Sequence, residues 1–246
     1  MAPLKNMLIA LPTVSRAMKS GTAIAVARAA GALQSRGVSV DYHNIDSAEI
    51  VTARDMFANM LLYADDWDSM LFVDSDMGFE PNLVLRMLDQ GVDVAAAACP
   101  RRTLDLDQYV GAMKAHGDPD RARSQASQFT LFHDWNNQQS GPRNVRDGFC
   151  SAAAVGMAIA LISKSALQTM VAERVVAPRL DLHSGSGKPC YSFFGILEPD
   201  GSRLGEDYSF CYRWTKMLGR DLRVCLDEQV SHYGDFEYYG RYADLL

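Results

Sequence analysis

Long apolar segments are missing from this 246-residue sequence. No stretch reaches the 18 or so apolar residues that a membrane-spanning helix needs. Near the N-terminus the apolar run Met7–Pro12 is too short for a signal peptide. We therefore expect a protein without an integral membrane segment, either in the cytoplasm or at the periphery of a membrane.

Paired cysteines are missing as well. The five cysteines are widely spaced with no Cys-x-x-Cys pair, which argues against a zinc cluster and is typical of free thiols in a reducing compartment. Basic residues do not offset the acidic ones, and the net charge of −6 argues against binding to a nucleic-acid backbone. A local basic pocket, and with it nucleic acid as an acceptor, stays open.

The residues that are present have an ordinary globular composition, with 48% apolar and 22% charged residues. Apolar patterns predict strands at 5–11, 38–45, 68–73, 92–99, 155–162 and 222–226. Helical spacing predicts helices at 22–35, 50–63, 81–90, 164–173 and 207–218. This alternation predicts a single α/β domain, Rossmann-like, with a mostly parallel sheet flanked by helices.

Two segments depart from the alternation. Residues 101–147 are polar without clean periodicity, and we expect a long loop excursion over the active face rather than a second domain. Residues 182–205 are rich in glycine and proline, which suits a mobile lid. The ring-bearing residues of the excursion either contact an acceptor or form a small hydrophobic cluster that holds the loop: Tyr109, His116, Phe129, Phe132 and Trp135.

Two carboxylates directly follow a predicted buried strand, in the sequence Asp74-Ser75-Asp76. Ligands of open α/β sheets bind at the carboxyl ends of strands. Carboxylates at positions i and i+2 can converge there on one Mn²⁺ or Mg²⁺ ion that bridges phosphate oxygens. We expect Asp74 and Asp76 to bind the metal, and Asp74 and Ser75 to lie against the nucleotide. The alternative is a solvated turn.

Further polar residues occur near the same predicted edge. Glu206 and Asp207 begin a predicted helix, where either carboxylate could accept a proton from a hydroxyl group. The alternative is a plain acidic helix cap. His232 follows the last strand and is predicted to complete the metal site with Asp74 and Asp76, although most single histidines bind no metal.

Four residues are candidates for binding the nucleotide. Pro12 and Thr13 end the first predicted strand, where a base and ribose would sit, unless they form a plain junction between strand and loop. Arg54 could hold a phosphate through paired N–H groups, or lie on a solvated helix face. Arg101 follows the fourth strand and could meet phosphate in the same way.

As a set, these pieces resemble the GT-A class of nucleotide-sugar glycosyltransferases. The matching segments are ALPT, Ala53-Arg54-Asp55, MLFVDSDMGFEP, VGMAIALIS, GEDYSFCYRWTKMLGRDLRV and VSHYG. Their order and spacing fit most of the chain outside residues 101–147. Two departures bear on the donor and acceptor: relatives often have Ala-Arg-Asn at the second segment and an additional glycine at the fourth.

The resemblance implies an enzyme that moves a sugar from a UDP- or GDP-linked donor to a hydroxyl acceptor, such as a glycan or another saccharide. It implies that Asp76 and His232 ligate Mn²⁺ or Mg²⁺ and that Asp74 lies near the ribose and metal. It also implies that Asp207 is the base, with Glu206 as the second candidate. Residues 1–100 would form the nucleotide-sugar-binding half, and residues 148–246 the acceptor and catalytic half.

Two other functions remain open from the sequence. A nucleotidyltransferase acting on sugar phosphates also uses paired carboxylates and a metal, although it typically has a glycine-rich basic loop after the first strand. That place here holds VSRAMKSG, with a single glycine. The other alternative is a non-catalytic module that binds a sugar nucleotide, for which a placed base such as Asp207 would be unnecessary.

Overall fold

The computed structural model describes residues 6–137, 139–182, 187–235 and 237–246. The predicted strand start at residue 5 and part of the predicted lid at 182–205 lie outside these residues. The helices are α1 Ser20–Ser35, α2 Ile50–Tyr63, α3 Pro81–Asp89, α4 Leu106–His116, α5 Pro119–Ala126, α6 Lys164–Ala172 and α7 Glu206–Cys211. Among the described residues, none of the helices has the length and apolarity required to cross a membrane.

The strands are β1 Asn6–Thr13, β2 Ser39–Asp46, β3 Ser69–Val73, β4 Met77–Phe79, β5 Val94–Ala97, β6 Pro100–Leu104, β7 Ser127–Phe129, β8 Leu131–Phe132, β9 Arg143–Arg146, β10 Phe149–Ser151, β11 Ala154–Val155, β12 Ile159–Ser163, β13 Ala177–Pro178, β14 Tyr191–Ser192, β15 Arg223–Cys225, β16 Val230–Tyr233 and β17 Glu237–Gly240. Eight of them form the central sheet, in the order β2-β1-β3-β12-β5-β15-β10-β9. Strands β2, β1, β3, β5 and β15 run in one direction, whereas β12 and β10 run in the other. The predicted fold class, an α/β fold with a mostly parallel sheet flanked by helices, is confirmed.

Helices cover both faces of the sheet, and each face has its own hydrophobic core. One core packs α1 and α3 against the sheet, and its fully buried helical side chains include Ala29, Leu33, Leu83 and Val84. The other packs α2, α6 and α7, with Phe57, Leu61, Leu167 and Phe210. Because each large apolar side chain contributes about 1.5–3 kcal/mol on burial, the sheet is a firm platform for the loops at its carboxyl edge.

The excursion at 101–147 was predicted as a loop, and that prediction is wrong because the segment contains α4 and α5. Their apolar faces are small, so hydrophobic periodicity is weak, but capping signals are present. The side chains of Asp105 and Asp118 accept main-chain N–H groups at the two helix starts, and Pro119 occupies the first turn of α5.

Two predicted strand boundaries also differ from the structure. Strand β1 continues through Pro12. Beyond Ala10 this strand pairs only with β2, so the N–H that Pro12 lacks is not needed for a bond to β3. The strand predicted at 155–162 is interrupted between β11 and β12, where Gly156 donates to the carbonyl of Thr130. The cap predicted at Ser163 is confirmed, since its hydroxyl accepts the N–H of Ala166.

Candidate active site

The loop Asp74–Asp76 leaves the buried strand β3 at the carboxyl edge of the sheet. The N–H of Asp74 donates to the carbonyl of Ala158 at 2.8 Å, which fixes the start of the turn. The chain then enters β4, which pairs with β16 so that Met77 lies opposite His232. This short pairing brings the late histidine beside Asp76, as the sequence predicted.

The pairing of β4 with β16 places the side chain of Tyr233 close to the main chain of two glycines. The Tyr233 ring lies over Gly21 and Gly78, and a Cβ at either glycine would come within 2.4 Å of its hydroxyl oxygen. The glycine that follows Met77 is therefore required by contact with Tyr233 rather than by an unusual backbone angle.

Asp76 and His232 form a half-buried pair whose geometry defines the state of the imidazole. Nδ1 of His232 lies 2.9 Å from the carbonyl oxygen of Pro100, which can only accept, so Nδ1 carries a proton. Nε2 lies 3.3 Å from Oδ2 of Asp76. Burial lowers the pKa of His232, but its bonds to Asp76 and Pro100 outweigh this and raise it. The protonated form of His232, paired with the carboxylate of Asp76, is thus favoured.

Arg54 is the buried centre of the site, with a side chain that is 2% exposed. Its Nη2 donates to both carboxylate oxygens of Asp74 at 3.2 and 3.1 Å, and its Nη1 donates to the carbonyl of Met157 at 3.1 Å. Its Nε lies 3.4 Å from Oδ1 of Asp207. The Met157 carbonyl is presented by the interruption between β11 and β12. One guanidinium therefore joins the loop Asp74–Asp76 to the start of α7.

Negative charge is in excess around this guanidinium. Burial raises the pKa of Asp74 to about 7, and the carboxylates of Asp207, Asp76 and Glu206 add to the rise against the effect of Arg54. Burial, followed by the charge of Asp207, also raises the pKa of Glu206. Arg102 lies 3.5 Å from Asp76, but its side chain is 55% exposed and partly screened by solvent. The site is therefore suited to an additional cation.

The structure brings together some of the predicted metal ligands and separates others. Asp76 and His232 are adjacent, whereas the carboxylate of Asp74 is turned to Arg54. Over the described part of the chain, no group of three or more histidine, cysteine, aspartate or glutamate side chains is placed to hold a metal ion. The three-residue ligand set remains a prediction, with Asp76 and His232 as its assembled part.

The predicted nucleotide residues occupy different environments. The alternative of a solvated helix face for Arg54 is wrong, because the side chain is buried and its Nη1 and Nη2 groups donate to protein acceptors. Arg101 is exposed on β6, at the edge of the site. The carbonyl of Ser75 accepts the N–H of Lys19 at 2.8 Å, which ties the loop after β1 to the site.

Pro12 and Thr13 are buried at the end of β1. The hydroxyl of Thr13 accepts from the side-chain amide of Asn44 at 2.8 Å and lies 3.5 Å from the carboxylate of Asp46. Asp46 in turn accepts the N–H of Arg16 at 2.9 Å. The polar group presented at this corner is therefore Asp46, at the carboxyl end of β2, which sequence reasoning did not identify.

A second buried carboxylate, Asp55, was also missed. It is fully buried and accepts from Arg179 at 2.8 Å, Ser192 at 3.0 Å and the N–H of Phe194 at 2.8 Å. Asn59, one turn further along α2, binds both the N–H and the carbonyl of Tyr191 at 2.8 Å. The helical spacing of Asp55 and Asn59 is the sequence signal that could have found this polar stripe.

Asp55 is the residue at which the sequence departs from the Ala-Arg-Asn pattern of the resemblance. Its carboxylate accepts hydrogen bonds from Ser192 and Phe194 and does not contact Asp74, so this difference affects how the segment 189–194 is anchored. The described part of the predicted lid is held to α2 by these bonds.

Aromatic side chains of the excursion at 101–147 pack against the rest of the protein: Phe129 packs on Tyr242, Phe132 on Tyr208 and Trp135 on Tyr212. For these three residues, the structure supports the prediction of a hydrophobic cluster that holds the excursion rather than the prediction of contact with an acceptor.

No family model matches the sequence, and a search of curated proteins finds no match. Among solved structures the chain is similar to the crystal structure of A197 from STIV, with a TM-score of 0.47 and 12% identity over 94% of this chain and 87% of that one. It is also similar to GalNAc-T7 with UDP, GalNAc and Mn²⁺, with a TM-score of 0.41 and 10% identity over 94% of this chain and 44% of that one. At these scores neither likeness tells what this chain does.

Proposed function

We propose that this chain is a metal-dependent glycosyltransferase of the GT-A type, which moves a sugar from a UDP- or GDP-linked donor to a hydroxyl group of a saccharide acceptor. The observation that supports this proposal is the gathering of four carboxylates at the carboxyl edge of the sheet, three of which surround one buried guanidinium, that of Arg54. These carboxylates are Asp74, Asp76, Glu206 and Asp207. Such an edge binds ligands in open α/β sheets, and the excess negative charge favours a cation.

The residues present fit a divalent metal ion. Asp76 offers a carboxylate oxygen and His232 an imidazole nitrogen, which is the donor chemistry that Mn²⁺ accepts. The proton on Nδ1 is held by Pro100, so Nε2 is the nitrogen left for a metal. When bound, the ion would neutralise charge on the departing diphosphate. Asp74 would remain close to the ribose side while Arg54 holds it.

Asp207 is the proposed base. Its Oδ1 is buried against Nε of Arg54 without a hydrogen bond, while the side chain as a whole is 22% exposed. The acceptor hydroxyl would give its proton to this carboxylate as its oxygen bonds to the anomeric carbon. The bond from that carbon to the diphosphate oxygen breaks, and the electron pair leaves with the diphosphate. Direct displacement of this kind inverts the anomeric configuration.

The test is to incubate the protein with Mn²⁺, a panel of nucleotide sugars and saccharide acceptors, and to identify the nucleotide product. Release of UDP or GDP that depends on the acceptor supports glycosyl transfer. Release of pyrophosphate from a nucleoside triphosphate and a sugar phosphate would instead indicate a nucleotidyltransferase. Tight, metal-dependent binding of a nucleotide sugar without turnover for any acceptor would indicate a binding module.

His232→Ala and Asp76→Asn are the matched variants for this assay. We expect both to lose metal-dependent binding of the nucleotide while keeping the fold, because neither side chain belongs to the hydrophobic cores. Unchanged transfer in excess chelator would contradict the metal requirement.

A further inference from the structure

The two edges of the central sheet are built differently. Edge strand β9 has four residues, carries Arg143 and Arg146, and its register against β10 is irregular. Asn144 within it has a left-handed backbone with φ of 53°. Shortness, basic side chains and irregular pairing are the devices by which proteins keep an edge strand from pairing with another chain.

Edge strand β2 lacks these devices. It runs for eight residues, Ser39–Asp46, and pairs with β1 without a break over its whole length. It contains no proline, glycine, lysine or arginine, and most of its residues are exposed. Within the described sheet β1 is its single neighbour, and the aromatic side chain of Tyr42 is 49% exposed.

The charges on β2 are arranged in a way that suits pairing with itself. Asp41 and His43 lie on the same face of the strand, since side chains alternate with a period of two. Both contact Trp67: its indole N–H donates to Asp41 at 2.7 Å, and its ring lies 5.1 Å from that of His43. A carboxylate and an imidazole thus sit on either side of Tyr42 in the strand, and both contact one aromatic ring.

We propose that two copies of this chain pair antiparallel through β2 about a twofold axis at Tyr42, so that their sheets form one continuous sheet. In this register Asp41 of each copy lies directly opposite His43 of the other, where a carboxylate oxygen can accept an imidazole N–H across the strand pair. A twofold at Asp41 would place two aspartates together, and one at His43 would place two histidines together. The register at Tyr42 also pairs nearly the full length of the strand.

Pairing through β2 leaves the active site open, because it extends the sheet sideways and the site lies at the carboxyl ends of the strands. Strand pairing alone buries less surface than a standard protein interface, so we expect a dissociation constant on the order of 10 µM. The inference is independent of the proposed reaction.

The first test uses sedimentation velocity between about 1 and 100 µM protein, a range that brackets this affinity. Wild-type protein is expected to shift from monomer to dimer. Tyr42→Lys should remain monomeric because two ammonium groups would face each other at the axis. Val145→Lys is the matched control: Val145 is 53% exposed on the other edge strand, and its replacement should leave the dimer unchanged. A monomeric wild type, or equal loss in both variants, would overturn the proposal.

The second test fixes the register by disulfide formation and does not depend on the folding of a lysine variant. All five native cysteines are buried. In a Tyr42→Cys variant the two introduced thiols would face each other across the axis, with their Cα atoms about 5 Å apart and within reach of a disulfide. In the Ser39→Cys control the two positions would be about 20 Å apart. Rapid oxidative dimerisation of Tyr42→Cys alone supports the register. Crosslinking of Ser39→Cys instead, or of neither, refutes it.

Discussion

Arg54 shows how a single buried side chain can organise the proposed active site. Its guanidinium is buried between the loop after β3 and the first turn of α7, and it meets Asp74 and Asp207 at the same time. Because a buried charge is costly unless it is paired, these three residues depend on one another. We therefore expect the carboxylate of Asp207 to keep its position only while the guanidinium of Arg54 is present beside it.

We expect Arg54→Met to lower the free energy of unfolding by about 3–5 kcal/mol, since it leaves buried carboxylates without their cation. The measurement is urea unfolding followed by circular dichroism. Arg86→Met is a suitable control because Arg86 also bridges two acids, Asp227 and Glu228, but is 25% exposed and should cost less. An Arg54 variant as stable as the wild type would show that the cluster is not coupled.

The proposed base gives a second prediction at this scale. Asp207→Asn keeps the shape of the side chain but removes its ability to take a proton, so kcat should fall by roughly 10²–10⁴-fold. Affinity for the nucleotide and Mn²⁺, measured by calorimetry, should stay nearly unchanged. Glu206→Gln should have a smaller effect. Loss of donor binding with an intact kcat would instead make Asp207 a ligand of the donor sugar.

At the scale of elements, helix α2 serves two sites at once. Arg54 contacts Asp74 and Asp207, while Asp55 and Asn59 hold the main chain of the segment 189–194. Further on, the N–H of Leu197 donates to the hydroxyl of Ser209 in α7, the helix that begins with the proposed base. Helix α2 thus sets the position of the segment that leads into the first turn of α7.

Asn59→Ala should therefore loosen this segment selectively. It removes two hydrogen bonds to Tyr191, and we expect a loss of about 1–3 kcal/mol in the free energy of unfolding. Hydrogen exchange measured by mass spectrometry should rise in 189–194 more than in α1. Asn82→Ala, which removes the bond from an exposed amide to Glu228, should leave exchange in 189–194 unchanged. Uniform acceleration throughout the chain would mean global destabilisation rather than local release.

Elements with a strong local pattern were the ones that sequence reasoning could predict. Helices α1, α2, α3 and α6 and the buried strands of the sheet carry apolar residues at regular spacing. Strands β4 and β16 have three and four residues, and their pairing joins positions about 150 residues apart in the chain, so no local pattern announces them. The roles of Arg54 and Asp55 were missed for the same reason, because their partners are remote in sequence.

On the scale of the whole molecule, the carboxyl edge combines an excess of acidic groups with a rigid two-sided core. Prediction from sequence placed Asp74, Asp76 and His232 at one edge because it could place strand ends, and it placed Asp207 at a helix start. It could not tell which carboxylate would face an arginine and which would face a histidine. That difference decides where a cation would bind, and hence how the stability of the folded chain should respond to metal and nucleotide.

A ligand that binds the folded chain alone stabilises it by an amount set by its concentration relative to Kd, about 2.7 kcal/mol at a hundredfold excess. We expect Mn²⁺ to raise the melting temperature slightly, and Mn²⁺ with UDP or GDP to raise it by more than the sum of the two ligands alone. The reason is that Asp76 and His232 supply few metal ligands, so phosphate oxygens must complete the coordination. In differential scanning fluorimetry this synergy should vanish for Asp76→Asn and persist for Asp227→Asn, which alters an acidic residue that pairs with Arg86 and not with His232. Purely additive shifts in the wild type would indicate that metal and nucleotide bind at separate places, and the proposed metal position between Asp76 and His232 would then be wrong.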